Sequence, residues 1–527
     1  MRRRSILAGL GGLIAAQAGR RARGASQSAD ASTLKKQKGT RIAITIERRQ
    51  TALARSLSRD EMARRGPGGY VFDQGPTTVY FSKGLRHTPQ YQCDAWIRRH
   101  VYQAIDRGDI QGVEAAMEDS GVLANPIASA ALLDSGPDSV QYALARPPSI
   151  NSRELALDAL ELCWAALCRD VPFGRYGEDD RIGSAVAELS NAGTPRLSSV
   201  NLFGPSGPNR PGPRVSQFLL SETVLGGVKQ SLAGILAEPG VDYITSFSEF
   251  LRIQDGLLPA RTLKMDPRAR YPYSGRSLAS IVYRDYPAQY FMMAAQQISD
   301  MGGFGAFNRS HPYAKLRAQV PFATFGLPHC FALLNNVACH ALTVAWFYKW
   351  SVYRYLRPEE YFGLLHVSAD GASKFPVPFF LRHSEALGII SRTTGTCLLP
   401  QAYPEGAPTH PSYPAGHAVV AGACGTILKF FFNAAMNFPA PVDVNDDGTA
   451  LIPYNGELKI GDEIDKLMWN ICYGRSYAGI HWRMDCEQGV RLGEQVARDL
   501  LQDIALFCAE HQGHVHCRSF FGGDMVV

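Results

Sequence analysis

The chain has 527 residues, 46% hydrophobic and 19% charged, a composition that buries a large core and excludes disordered or collagen-like polymers. Its net charge of +6 is carried by the first 25 residues, where Arg2, Arg3, Arg4, Arg20, Arg21 and Arg23 stand without an acid. Taking those six from the 54 basic residues leaves 48 against 48 acidic ones, and a neutral body argues against general nucleic-acid binding or membrane-surface attraction.

The N-terminus reads as an export signal. Arg3-Arg4-Ser5 precedes a short apolar run over 6–18, and the paired arginines suggest the twin-arginine route to the periplasm or exterior. Residues 1–27 are assigned to that signal. The run is too short for a span of about 20 residues, and 331–352, the closest other candidate, reads as a buried helix, so no membrane span is expected after signal removal. Eleven cysteines without a C-x-x-C pair exclude a zinc ribbon and a c-type haem attachment. Their pairing is not readable from spacing, and an odd count leaves at least one thiol free or intermolecular.

Residues 26–90 are polar and irregular. Apolar residues at helical spacing follow over 94–106, 109–117 and 152–168, the last with Leu155, Leu157, Ala159, Leu160 and Leu162. Residues 170–215, rich in Gly, Pro, Asn and Ser, predict a long loop. The chain then divides into an N-terminal helical and loop region over 28–250 and a helical-bundle catalytic region over 251–527. Long helical periods predicted at 281–299, 331–356, 417–437, 464–472 and 487–508, with few alternating stretches, make the class mainly α: helical bundles joined by long Gly/Pro loops.

Three C-terminal blocks carry chemistry. In Trp346-Phe-Tyr-Lys349 to Arg357-Pro358, the two cations are eight residues apart, about 80° round a helix, so both can face one side before Pro358 stops it. In His410-Pro-Ser-Tyr-Pro-Ala415-Gly416-His417, a Pro/Gly turn feeds a helix and offers free N–H groups and a positive dipole end to an anion, with His417 beside it for proton transfer. Arg475 and His481 supply a guanidinium fork and an imidazole six residues apart. Taken singly, each block also suits an ordinary solvated turn or structural histidine. Together they supply what a tetrahedral or trigonal-bipyramidal oxyanion needs, because Lys and Arg neutralise equatorial oxygens and two imidazoles serve the axial positions.

The order K-x7-RP, P-x-GH, R-x5-H resembles the superfamily of vanadium-dependent haloperoxidases and type-2 phosphatidic acid phosphatases. The Lys349–Arg357 step, Trp346, His410 seven residues before His417 and the chain length are most similar to the bromoperoxidase-like haloperoxidases. The resemblance implies helical bundles with the active site at one end of a deep cleft, a vanadate cofactor and homo-oligomers. It implies hydrogen peroxide, halide ions and small organic acceptors as partners. By the same resemblance His481 would coordinate vanadium; Lys349, Arg357, Arg475 and the Gly416 N–H would hold oxygens; His417 would accept a proton from peroxide. His410 and Trp346 would form the halide pocket, with His410 tuning proton supply, and Asp285 would orient an arginine, though a plain helix-start acid fits equally. Vanadium(V) would act as a Lewis acid toward peroxide, with Lys349 polarising the oxygen that halide attacks.

One departure is Ala415, where the family usually has Ser; a lost donor costs about 1 kcal/mol, and Ser412 is not assumed to replace it. With fewer donors on the peroxide, bromide and iodide oxidation is expected, with little chloride oxidation. The other readings are a secreted acid phosphatase, with His481 as nucleophile and His417 as acid, and a non-enzymatic binding protein. Separately, Asp443, Asn445, Asp447 and Gly448 have the opening spacing of a calcium loop, but Tyr454 stands where Glu closes it, and an acidic turn before a strand reads as well.

Overall fold

The principal helices of this computed structural model are, in chain order, α1 (Ala95–Asp106), α2 (Arg153–Cys168), α3 (Gly275–Ile281), α4 (Gln289–Gly302), α5 (Leu327–Trp346), α6 (Pro358–Ala369), α7 (Gly416–Phe431), α8 (Ile460–Tyr477) and α9 (Arg483–Phe507). The structure describes Ala43 and residues 80–527, apart from 119, 209, 226, 370, 372–374, 509 and 511–513. The export signal expected over 1–27 lies outside the described residues. Among the described residues, strands form only short two-stranded antiparallel ribbons, and the fold is mainly α as expected.

Local sequence sets the helix starts. Asp94 caps α1 by accepting from the Trp96 and Ile97 N–H groups, Ser152 accepts from Leu155 N, and Ser274 forms a reciprocal capping box with Ser277. The centre is α7, buried along its length except for His417, which packs on α5, α8 and α9. Glycines bring α7 and α9 together almost backbone to backbone. A Cβ added at Gly493 would stand 2.1 Å from the Val419 carbonyl oxygen, and one at Gly422 would stand 2.2 Å from that of Val490. That close seam fixes the start of α9 against the start of α7, where Ala415 N donates to the Asp485 carbonyl at 3.1 Å.

Several expected elements differ. The period over 331–356 is not one helix: α5 widens into a π turn over Phe347–Tyr353, Arg354 takes a left-handed φ of 49°, and Pro358 opens α6 instead of ending a helix. Lys349 and Arg357 therefore converge through this broken connection and not by sharing a helical face. The period over 281–299 is likewise interrupted between α3 and α4, and Asp285 lies in that break. The expected loop at 170–215 contains the helix Asp180–Asn191.

The boundary expected near residue 250 does not separate two compact units, since the described residues 80–527 belong to one. Glu161 of α2 accepts from the Arg483 side chain at 2.6 and 2.7 Å and from the Tyr473 hydroxyl, joining the two halves in one core. One described helix, Leu327–Tyr353, is long and apolar enough to cross a membrane, and it is more than half buried within the fold.

The calcium loop is a β-hairpin turn between Val442–Val444 and Leu451–Pro453. Its oxygens serve the turn itself: Asp443 accepts from Val444 N, Asn445 from Ala450 N, and Asp447 from Thr449 N and Oγ1, while Arg270 donates to the Asp447 carbonyl. Among the described residues no group of three His, Cys, Asp or Glu side chains is placed to hold a metal ion.

Candidate functional site

The π turn, the loop 410–415, the start of α7 and the α8–α9 turn meet at one point, which brings together Trp346, Lys349, Arg357, His410, Gly416, His417, Arg475 and His481, with Asp285 from the α3–α4 break. Lys349 and Arg357 are fully buried. Lys349 Nζ donates to the carbonyls of Pro411 at 2.6 Å and Ser412 at 2.7 Å. Arg357 donates from Nε to the His410 carbonyl at 2.9 Å, and from Nη1 to the Ile480 carbonyl and His481 Nε2, both at 2.8 Å. Its Nη2 lies 2.9 Å from His410 Nδ1, and the His410 ring packs on Trp346 with centroids 4.7 Å apart.

His481 is oriented by a residue the sequence reading missed. Its Nδ1 lies 2.6 Å from Asp485 Oδ2, and the same oxygen accepts from Ser412 Oγ at 2.5 Å and from Trp482 N at 3.1 Å. Asp485 sits one turn after His481 at the start of α9, so the spacing H-x3-D before a helix was the available signal. Burial lowers the His481 pKa well below its ordinary value, and the Arg357 and Lys349 charges push the same way. The ring is thus neutral, with Nδ1–H donating to Asp485 and the Nε2 lone pair turned inward.

His417 is held the other way round. Its Nε2 is 2.8 Å from Asp285 Oδ1, so Asp285 pairs with this histidine and not with an arginine as expected. Burial pushes the Asp285 carboxyl up, but His417 and Arg475 outweigh it and hold the group below the usual carboxylate range. Burial lowers the His417 pKa despite Asp285, so the ring is neutral with its Nε2–H on that carboxylate. Ser412, bound to Asp485, does not replace the hydroxyl missing at Ala415. Ala415 is the N-cap of α7 and makes no side-chain cap bond, so the first N–H groups of α7 remain open to an anion.

The site fits an oxyanion. Three basic side chains, Lys349, Arg357 and Arg475, crowd one another here, and burial together with the Arg357 charge depresses the Lys349 pKa against the opposing pull of Asp485. Arg475 donates from Nη1 to the Val282 carbonyl at 2.5 Å, but its Nε is buried without a partner. A bound anion would relieve this repulsion and accept from that N–H. A cavity of about 1170 Å³, walled by Ile281, Tyr283, Met292 and Met293, reaches the site at Asp285.

Comparison with known proteins agrees with this geometry. The VCPO second helical-bundle domain matches residues 329–508. The chain is 33% identical over 467 residues to a vanadium-dependent bromoperoxidase of Ascophyllum nodosum, covering 82% of this chain and 83% of that one. It is 29% identical over 448 residues to the vanadium-dependent bromoperoxidase of Corallina officinalis, covering 71% and 75%. The homohexameric structure of the second vanadate-dependent bromoperoxidase of Ascophyllum nodosum superposes with a TM-score of 0.83 at 25% identity, over 98% of this chain and 95% of that one. Fold and site together define a vanadium haloperoxidase. Within that class the chain belongs to the vanadium-dependent bromoperoxidase family.

Proposed function

We propose that the chain uses hydrogen peroxide and bound vanadate to oxidise bromide or iodide to hypohalous acid, which halogenates small organic acceptors. The observation that carries this reading is the convergence of Lys349, Arg357 and Arg475 on a neutral, carboxylate-oriented His481. When bound there, vanadate supplies a Lewis acid that makes peroxide electrophilic toward halide. Lys349, Arg357, Arg475 and the Gly416 N–H bind and orient the negative oxygens, and His481 Nε2 offers the donor lone pair once Arg357 Nη1 yields it. Asp485 keeps the His481 proton on Nδ1. His417 Nδ1 accepts the proton of incoming peroxide, while Asp285 holds the Nε2–H and steadies the imidazolium that results. His410, neutral because burial and the Lys349 charge depress its pKa, and Trp346 form the halide wall.

The 1170 Å³ cavity whose wall includes Asp285, the partner of His417, is the approach assigned to peroxide, halide and acceptors. The missing donor at Ala415 favours bromide and iodide over chloride. The protein is exported, as the twin-arginine pattern over 1–18 suggests, and assembles as a homo-oligomer, which the hexameric relative supports.

The test is reconstitution of vanadate-free protein with orthovanadate, followed by bromination of a phenol dye with peroxide and by phosphate-ester hydrolysis without it. Vanadate-dependent bromination is expected. Ester hydrolysis in the absence of any bromination would replace this reading with the phosphatase one.

A further inference from the structure

Cys472 and Cys486 stand behind the anion site and take no part in the chemistry described above. Cys472 lies on α8 one turn before Arg475, and Cys486 follows Asp485 on α9, so the pair brackets Arg475, His481 and Asp485. Cys486 Sγ lies 3.3 Å from the Cys472 carbonyl oxygen and 3.5 Å from Ser476 Oγ, while Cys472 Sγ turns to the Trp469 carbonyl at 3.4 Å, so the Cys486 sulfur rests against the Cys472 backbone. Both are fully buried, and both are thiols in this structure.

We propose that Cys472 and Cys486 form an oxidisable pair that closes to a disulfide during turnover, cross-linking α8 to α9 directly behind the ligand segment. The proposal rests on the haloperoxidase reading for its oxidant, hypohalous acid. One thiol sulfur attacks the bromine of hypobromous acid; an S–Br bond forms, the Br–O bond breaks, and the hydroxide leaves with the thiol proton as water. The second thiol attacks that sulfur; an S–S bond forms, the S–Br bond breaks, and bromide leaves with the second proton. Two thiols thereby lose two electrons, and the halogen returns as bromide. Closure turns the Cys472 sulfur from the Trp469 carbonyl toward Cys486 and brings the two sulfurs to about 2.05 Å.

Two features select this oxidant over peroxide itself. Burial, with the neighbouring thiol, raises the Cys472 pKa well above its usual value, which suppresses the thiolate that peroxide requires. Electrophilic halogen, by contrast, is released within a few residues of the pair. The bond would tie the α8–α9 turn and hold His481 and Arg475 in place as oxidant accumulates.

Trypsin cuts after Lys466, Arg475, Arg483 and Arg491, so the pair falls on peptides 467–475 and 484–491, each with a single cysteine. Vanadate-loaded protein is turned over with bromide and peroxide, quenched, alkylated under denaturing non-reducing conditions and mapped by mass spectrometry. The expected result is a 467–475/484–491 species, lighter than the sum of its parts by two hydrogens, that grows with turnover and is released by dithiothreitol. Peroxide without bromide forms it far more slowly. Cys486→Ser leaves the initial bromination rate unchanged and abolishes the species.

Recovery of both peptides fully alkylated after sustained turnover, or linked to other cysteines, overturns the proposal. In a second arm, reagent hypobromous acid is added to vanadate-free protein. Linkage there, with neither linkage nor bromination from vanadate, peroxide and bromide, indicts the haloperoxidase reading, whereas no linkage in this arm rejects the thiol pair itself.

Discussion

His481 and His417 are both imidazoles held by a buried carboxylate, and the hand of the contact decides their tasks. Asp485 pairs with His481 at Nδ1 and leaves Nε2 facing Arg357; Asp285 pairs with His417 at Nε2, and under the proposed function the remaining nitrogens serve the anion and the peroxide proton respectively. Asp285→Asn removes the charge that raises the His417 pKa, so His417 becomes a weaker base. The rate is expected to fall at least about 100-fold, the lower range for general-base catalysis, and the acidic limb of kcat/KM against pH to move to lower pH. An unmoved limb would place the base elsewhere. At Ala415, fully buried at the α7 N-cap, serine would add a donor toward the anion or cap the helix. A restored bond of about 0.5–1.5 kcal/mol corresponds to roughly 2- to 10-fold tighter vanadate binding in Ala415→Ser. Equilibrium dialysis checks it; higher thermal stability with unchanged affinity would assign the hydroxyl to the cap alone.

At the scale of elements, the site depends on the α7–α9 seam. In Gly493→Ala the new methyl would meet two backbone atoms, the Val419 carbonyl oxygen at 2.1 Å and Ala423 N at 2.6 Å, and backbone cannot rotate aside. The helices must part at a cost of about 1–3 kcal/mol, and the Ala415–Asp485 joint loosens with them. A lower denaturant midpoint accompanied by weaker vanadate retention is expected; stability loss alone would show that the seam does not transmit to the site.

The same joint explains what was legible. Lys349, Arg357, His417, Arg475 and His481 were readable because each motif joins an unusual residue to a local helix start or end. Asp485 was not, since an acid at the beginning of a helix is an ordinary dipole partner and its bond to His481 appears only when the turn 478–482 is folded. The π turn was equally hidden, because apolar spacing over 331–356 fits an unbroken helix as well as one that widens at Phe347.

At the scale of the whole molecule, the start of the described body is fastened behind the site. Glu360 accepts from Ser82 N at 2.7 Å and Ser82 Oγ at 3.2 Å, and from Arg357 N at 2.7 Å, while Lys83 pairs with Glu359 at 2.6 Å. Burial raises the Glu360 pKa to about 7 from 4.5. A carboxyl raised in the folded state contributes its stability below the unfolded value and loses it as pH rises through the folded one. Unfolding free energy should therefore decline between pH 4.5 and about 7, by up to about 3 kcal/mol from this group, and Glu360→Gln should flatten that decline. Denaturant titrations across this window decide it; an identical slope in the variant would remove Glu360 as the source.

These fastenings also order events in time. Ser82 and Glu360 are 278 positions apart, Asp285 and His417 are 132, and Ser412 and Asp485 are 73. Each closure is entropically slow, and none can form until the later partner has been synthesised. A nascent chain still lacking α9 has no Asp485 and no seam to hold the start of α7. The anion pocket is therefore among the last features to mature, and capture of vanadate marks a finished molecule and cannot template an unfinished one.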